Sequence, residues 1–301
     1  MATLIIHPGS PKTATSCIQH VLDRNKPAIE SLPERTRVLT IRDFRGHPIL
    51  KAFMEFYRGK TPNLNSEVIK DFFDGMNDRY DKIIISEETF CLDFMPSKKL
   101  SFGGIDKVEK SIEFINAIPI EKKKIVLTIR KQTGLLVSSY THSLHRRRET
   151  LSFANWIETE VNCDNLSWLK VVEHFDDSFG HENVIVVPLE ASKLNGISGY
   201  VNSVLSGFEL DSASFDTSIV DVHNPSPSLR AVNLIRTMNK EIQHVDKSVK
   251  VNNALIKHFP VAEFGKFNPS HRIMDLVSKK YSTENSTLAE RKFPHFAKVF
   301  S

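Results

Sequence analysis

Leu4-Ile5-Ile6-His7-Pro8-Gly9-Ser10-Pro11-Lys12-Thr13-Ala14-Thr15-Ser16 is the stretch that decides how this chain is read. The apolar run Leu4-Ile5-Ile6 predicts a buried strand. His7 to Pro11 is rich in turn formers, and Lys12-Thr13-Ala14-Thr15-Ser16 leads into a helical pattern carried by Ile18, Val21 and Leu22. A strand, a tight loop and a helix N-terminus in that order make an anion site. N–H groups without intrahelical partners and the positive end of the helix dipole face the ligand, while a lysine and hydroxyls add donors. The pattern predicts that the chain binds a phosphorylated small molecule.

The nucleoside triphosphatase loop, G-x-x-x-x-G-K-[ST], fits poorly. Gly9-x-x-Lys12-Thr13 is three residues shorter, with Pro11 where the second glycine should stand. The segment resembles instead the G-x-x-K-[ST]-[GA]-[ST]-[ST] loop of sulfotransferases, enzymes that use 3′-phosphoadenosine 5′-phosphosulfate (PAPS). The resemblance implies that Gly9, Ser10, Lys12, Thr13, Ala14, Thr15 and Ser16 bind the 5′-phosphosulfate. Lys12 would neutralise charge on the bridging oxygen.

A second segment agrees. Lys124-Ile125-Val126-Leu127-Thr128-Ile129-Arg130 is an apolar run ending in a charge, and Leu135, Leu136, Ser139 and Tyr140 then turn helical. Arg130 therefore falls at the C-terminal end of a predicted strand, where open α/β sheets bind ligands. In sulfotransferases an arginine ending a strand and a serine eight positions later grip the 3′-phosphate, and Arg130 and Ser138 have that spacing. A guanidinium offers a forked, permanent charge, and a hydroxyl adds a neutral hydrogen bond. Taken singly, Arg130 reads as a residue capping a strand and Ser138 as a helix-surface hydroxyl.

Three further stretches are similar to bacterial carbohydrate sulfotransferases. Lys82-Ile83-Ile84-Ile85-Ser86-Glu87-Glu88-Thr89-Phe90 resembles their strand ending in Ser-x-Glu, Phe179 to Val187 their helix end, glycine and strand, and Glu284 to Arg291 their Asn-x-x-Leu-Ala-x-Arg helix. The chain departs from the animal cytosolic enzymes in lacking their C-terminal Arg-Lys-Gly segment, which leaves the grip on adenosine open. A hydroxyl acceptor needs a general base. The family commonly uses a glutamate, and the alignment favours Glu88, with strand alternation turning Glu87 to the other face. Either glutamate is nearly as well read as a helix cap or a partner of Arg130. His47, His142 and His145 are the other candidates, each more simply a surface histidine.

Composition sets the bounds. The chain has 301 residues, 40% of them apolar and 25% charged, a soluble globular balance. A net charge of +4 suits an anionic nucleotide and is too diffuse to argue for nucleic acid. Arg146-Arg147-Arg148 falls late in a predicted helix, where it complements the dipole. Cys17, Cys91 and Cys163 lack metal-ligand spacing and read as reduced thiols, and no carboxylate cluster suggests a metal. The first residues carry no basic n-region, which leads to the expectation that they are neither a signal peptide nor a membrane anchor, and no stretch approaches the about twenty apolar residues needed to span a bilayer. The expectation is a cytoplasmic bacterial enzyme with no metal.

Apolar runs at 3–7, 37–41, 82–86, 124–130 and 183–188 alternate with helical patterns. That predicts an α/β, P-loop-like three-layer fold with a central, mainly parallel sheet flanked by helices. Helical stripes run through Val68, Ile69, Phe72, Phe73 and Met76, capped by Asn65 or Ser66; through Val108, Ile112 and Ile115; and through Leu166, Leu169, Val172 and Phe175, closed by Gly180. Residues 211–228 read as a long loop, either an acceptor-site lid or a plain connector, before helices at 228–243 and 270–282. The whole of 1–301 reads as a single domain with a helical C-terminal part from about 229. The resulting expectation is sulfuryl transfer from PAPS to a hydroxyl of a glycan, glycolipid or similar acceptor. A nucleotide or nucleoside kinase and an inactive nucleotide-binding module are the alternatives.

Overall fold

The structure, a computed structural model, describes residues 1–10, 12–91, 105–217, 226–269 and 271–300. Pro11 and the 218–225 part of the expected loop lie outside the described residues. Two compact units form, Met1–Arg130 with Asp164–Asp221 and Thr283–Ser301, and Lys131–Cys163 with Val222–Ser282. The expected C-terminal helical part is thus divided: residues 229–282 share a unit with 131–163, and 283–301 belong to the first unit.

Among the described residues the first unit has five strands: β1 Thr3–His7, β2 Thr36–Thr40, β3 Lys82–Ser86, β4 Lys122–Ile129 and β5 Val184–Pro188. All pair in parallel, in the order β2-β3-β1-β4-β5. The helices of two turns or more are, in chain order, α1 Thr15–Glu30, α2 Pro48–Tyr57, α3 Ser66–Phe73, α4 Ile105–Ala117, α5 Gln132–Arg147, α6 Phe153–Glu160, α7 Trp168–Phe179, α8 Ser192–Gly207, α9 Leu229–Glu241, α10 Val245–His258 and α11 His271–Lys292.

The strands read as unbroken apolar runs because the sheet is buried on both faces. Ile5, Ile84 and Val126 face Ile18, Val21, Leu22 and Ile29 of α1 and Tyr200, Val201, Val204 and Leu205 of α8. Their neighbours Leu4, Ile6, Ile83, Ile85, Ile125 and Leu127 are equally buried on the opposite face, and α7 packs on β4 and β5 with α4 beside it. The result is the expected three-layer α/β fold, with every strand of the sheet parallel. In register, His7 lies opposite Ser86 and Ile6 opposite Ile125, so β4 continues past the end of β1 as far as Ile129.

Local chemistry sets the element ends. The Asn65 side chain accepts the Val68 N–H and caps α3. The expected stripe through Met76 stops at Phe73, because Gly75 turns left-handed (φ 65°) and Met76 opens a separate short turn. Gly180, at φ 86°, closes α7 as its sequence position predicts. Four helices, α2, α6, α8 and α10, are not among those expected from the sequence. In α8 the chain breaks helical geometry at Asn195 and Gly196. In α10 the buried positions include Ser248 and Asn252, so its inward face is polar.

In the second unit the Ser248 hydroxyl donates to Asn239 Oδ1 (2.6 Å), and Asn239 Nδ2 donates to the Leu144 and Glu149 carbonyls (2.8 and 2.9 Å). Tyr140, Phe153, Trp156 and Phe267 form an aromatic cluster beside this polar seam. Arg146 and Arg147 end α5 exposed, and Arg148 terminates it in a left-handed conformation. Among the described residues no helix is long and apolar enough to cross a membrane.

Candidate active site

In an open parallel sheet, ligands bind beyond the C-terminal strand ends where adjacent connections leave in opposite directions. In the order β2-β3-β1-β4-β5 that point lies between β1 and β4. The segment after β1 is the Gly9–Ser16 loop and the residue after β4 is Arg130, so topology brings the two sequence motifs to one rim.

The loop backbone is tightly wound. Gly9, Lys12 and Ala14 all have positive φ, at 65°, 64° and 61°. For Lys12 and Ala14 this costs about 1–2 kcal/mol each, and such strain persists where surrounding contacts over-determine it. Backbone of alternating hand turns successive N–H groups into one concavity, an anion nest. No side chain caps the N-terminus of α1 at Ala14, and the first-turn N–H of Cys17 already donates to the Ala14 carbonyl (2.9 Å), so it is the N–H groups before Cys17 that a ligand can use. Among the described residues the Ser10 hydroxyl has no hydrogen-bond partner, and it is buried.

The contacts that hold this loop come from several elements. The Thr13 hydroxyl donates to the Ser10 carbonyl (2.6 Å) and meets Thr128 of β4 (2.8 Å), so it is turned inward. Thr15, also buried, approaches the same carbonyl at 3.4 Å, whereas Ser16 is exposed. Tyr200 of α8 donates its hydroxyl to the Thr13 carbonyl (2.6 Å), and burial keeps that phenol protonated by raising its pKa. Below, His7 spans Ser86 (Nδ1, 2.9 Å) and Thr128 (Nε2, 3.1 Å).

Arg130 reaches the loop directly. Its guanidinium donates to the Lys12 carbonyl (3.0 Å), and the Trp168 indole N–H donates to the Arg130 carbonyl (2.6 Å). Desolvation works against the Arg130 charge, while the Glu190 carboxylate that follows β5 favours it. Ser138 stands on α5, in the second unit, two turns along that helix.

The third strand supplies the carboxylates. β3 ends at Ser86, so Glu87 and Glu88 are separated by a turn and not by strand alternation. Glu87 is fully buried, and its Oε1 accepts from the Thr89 N–H (2.9 Å) and hydroxyl. Among the described residues its Oε2 has no partner, and burial raises its pKa. Glu88 opens a short 3-10 turn and meets solvent. Surrounding protein still desolvates Glu88 enough to raise its pKa, against the pull of Lys12. The loop and this turn are in contact, since a Cβ on Gly9 would come within 3.0 Å of Glu88 Cα. Gly9 is the residue that allows the approach.

Among solved structures the chain is similar to a sulfotransferase from Alicyclobacillus acidocaldarius. The two are 16% identical, with a TM-score of 0.44, over 88% of this chain and 98% of that one. No family model matches the chain, and no curated protein matches it significantly.

The structure therefore brings Gly9, Ser10, Lys12, Thr13, Thr15, Glu88 and Arg130 to one rim of the first unit. Sequence reasoning missed His7, Thr128, Trp168, Glu190 and Tyr200. Of these only Glu190 had a visible signal, a carboxylate just past an apolar run. His7 and Thr128 are polar groups within apolar strand runs, and Trp168 and Tyr200 are helix rings, all legible only through their partners. Cys17 is not activated by its place in α1, because burial pushes its thiol pKa up.

Proposed function

We propose that this protein transfers a sulfuryl group from PAPS to a hydroxyl of a carbohydrate-containing acceptor. The observation that carries the reading is the hydrogen bond from Arg130 to the Lys12 carbonyl, which joins the two motifs that resemble sulfotransferase phosphate sites. The residues fit an anionic donor. The left-handed turns at Lys12 and Ala14, the uncapped start of α1 and the buried Ser10 hydroxyl offer donors to phosphate and sulfate oxygens. The missing glycine before Lys12 argues against a triphosphate loop.

PAPS supplies the sulfuryl group, and adenosine 3′,5′-bisphosphate is its leaving group. Lys12 neutralises charge on the oxygen that bridges phosphorus and sulfur. Backbone N–H groups of the loop and the hydroxyls of Ser10, Thr15 and Ser16 orient the 5′ end. Thr13 contributes its main chain, because its hydroxyl is engaged below. Arg130 binds the 3′-phosphate; Ser138 is the residue for which the sequence resemblance implies the same ligand. Glu88 accepts the proton of the acceptor hydroxyl as that oxygen attacks. Its raised pKa makes it a stronger base than an ordinary carboxylate, and Lys12 nearby keeps the ionised form accessible.

Calorimetric titration tests the reading. Adenosine 3′,5′-bisphosphate should bind more tightly than ADP or ATP, since a 3′-phosphate gains a charge-assisted contact that neither can make. Equal or tighter binding of ATP would revive a nucleotide kinase.

A further inference from the structure

Three adjacent strands of the first unit carry buried polar side chains at or next to their C-terminal ends, on the face that α1 and α8 cover. Ser86 of β3, His7 of β1 and Thr128 of β4 lie side by side, all fully buried, directly beneath Thr13, which is buried as well. They form one line of hydrogen bonds: Ser86 Oγ to His7 Nδ1, His7 Nε2 to Thr128 Oγ1, Thr128 Oγ1 to Thr13 Oγ1, and Thr13 Oγ1 to the Ser10 carbonyl.

The line has a single direction. A carbonyl only accepts, so the Thr13 hydroxyl spends its one proton on Ser10. The Thr128 proton is then claimed by Thr13 and by the Tyr200 oxygen, whose own proton goes to the Thr13 carbonyl. With that proton used, Thr128 can only accept from His7, which places hydrogen on Nε2. Nδ1 is left bare and accepts from Ser86. Burial drives the His7 pKa down to about 3, so the ring stays neutral and this tautomer is retained near neutral pH.

We propose that His7 is a positioning residue for the anion loop: as the Nε2–H tautomer it orders the hydroxyls of Thr128 and Thr13, and Thr13 thereby holds the Ser10 carbonyl and the left-handed turns at Lys12 and Ala14. The strained residues flank Thr13 on both sides, and the Thr13 carbonyl is held by Tyr200, whose phenol oxygen also meets the Thr128 hydroxyl. Thr13 is thus pinned at its hydroxyl and its carbonyl, and His7 governs the first of these. The affinity arm of the test below rests on the PAPS reading; the ring and exchange arms do not.

Glutamine and asparagine separate the two arms of the ring. His7→Gln can place an N–H near the Nε2 position and keep the bond to Thr128. His7→Asn reaches only the Nδ1 position and keeps the bond to Ser86 alone. Both variants lose one buried bond, so a merely structural histidine would make them lose thermal stability and nucleotide affinity in parallel. Positioning predicts a split at similar melting temperatures. His7→Gln should bind adenosine 3′,5′-bisphosphate within about threefold of wild type, and His7→Asn about tenfold more weakly, the equivalent of about 1.4 kcal/mol.

Nitrogen NMR of the ring should show a protonated Nε2 and a bare Nδ1, and amide exchange at Lys12–Thr15 should be faster in His7→Asn than in His7→Gln. Equal affinities and exchange rates in the two variants, or an Nδ1–H ring, would overturn the proposal. If wild type fails to bind the nucleotide while ring and exchange behave as stated, the PAPS reading falls and the positioning role stands. Should His7→Asn not fold, Thr128→Ser against Thr128→Val makes the same comparison, with the hydroxyl kept in one and removed in the other.

Discussion

Gly9→Ala probes the approach of the anion loop to the carboxylate turn, and Gly46→Ala is its internal control. Both glycines lie in the first unit with positive φ, at 65° and 82°. An alanine at either pays for left-handed backbone, about 1–2 kcal/mol. At Gly46 nothing lies within 4 Å of the added Cβ, so that is the whole cost. At Gly9 the Cβ would meet Thr15 Cγ2 at 2.9 Å and Glu88 Cα at 3.0 Å, and a main-chain atom cannot swing aside. Overpacking of this kind adds about 1–3 kcal/mol, for a total of about 2–5 kcal/mol. Urea denaturation followed by circular dichroism gives both values, and their difference isolates the contact. If Gly9→Ala costs no more than Gly46→Ala, the loop does not lie against Glu88, and Glu88 loses its place beside Lys12.

Lys12→Ala should abolish most turnover while weakening nucleotide binding far less, because charge on the bridging oxygen develops mainly in the transition state; near wild-type turnover at saturating PAPS would remove the assigned role. Glu88→Gln should lower turnover by about 10²–10⁴-fold with nucleotide affinity kept. The wild-type rate should fall, as pH drops, above the ordinary glutamate range of about 4.3, since desolvation raises this group; a pH profile without that acidic limb assigns the base elsewhere. Glu87→Gln tests the buried neighbour. Its folded pKa is raised, so the stability it contributes is present below its unfolded pKa and lost as pH rises through the folded one. The glutamine variant should therefore gain on wild type with rising pH, by at most about 1.4 kcal/mol per pH unit in denaturation experiments. A gain that shrinks with rising pH contradicts a protonation-linked cost at Glu87.

What the sequence alone determined is the part governed by local chemistry. All five strands were legible because a strand buried on both faces must be a short apolar run, and each expected span matches within two residues at either end. The anion loop was legible because its turn formers, lysine and helix start are contiguous, and Arg130 because a charge closing an apolar run can only sit at a strand end. Tertiary structure decided the rest. Strand order sets which strand ends are neighbours, and no local pattern encodes the sequence β2-β3-β1-β4-β5. The contrast between buried Glu87 and exposed Glu88 comes from the turn after Ser86, which period-two alternation does not describe. Helix α10 was invisible because Ser248 and Asn252 face inward to bond Asn239 and the end of α5, and a polar inward face erases the apolar stripe. The residues that shape the loop from below, His7, Ser86 and Thr128, are separated by up to 121 positions along the chain. Each is an ordinary polar residue until parallel pairing aligns the ends of β3, β1 and β4, and only then does the direction of every proton between them follow.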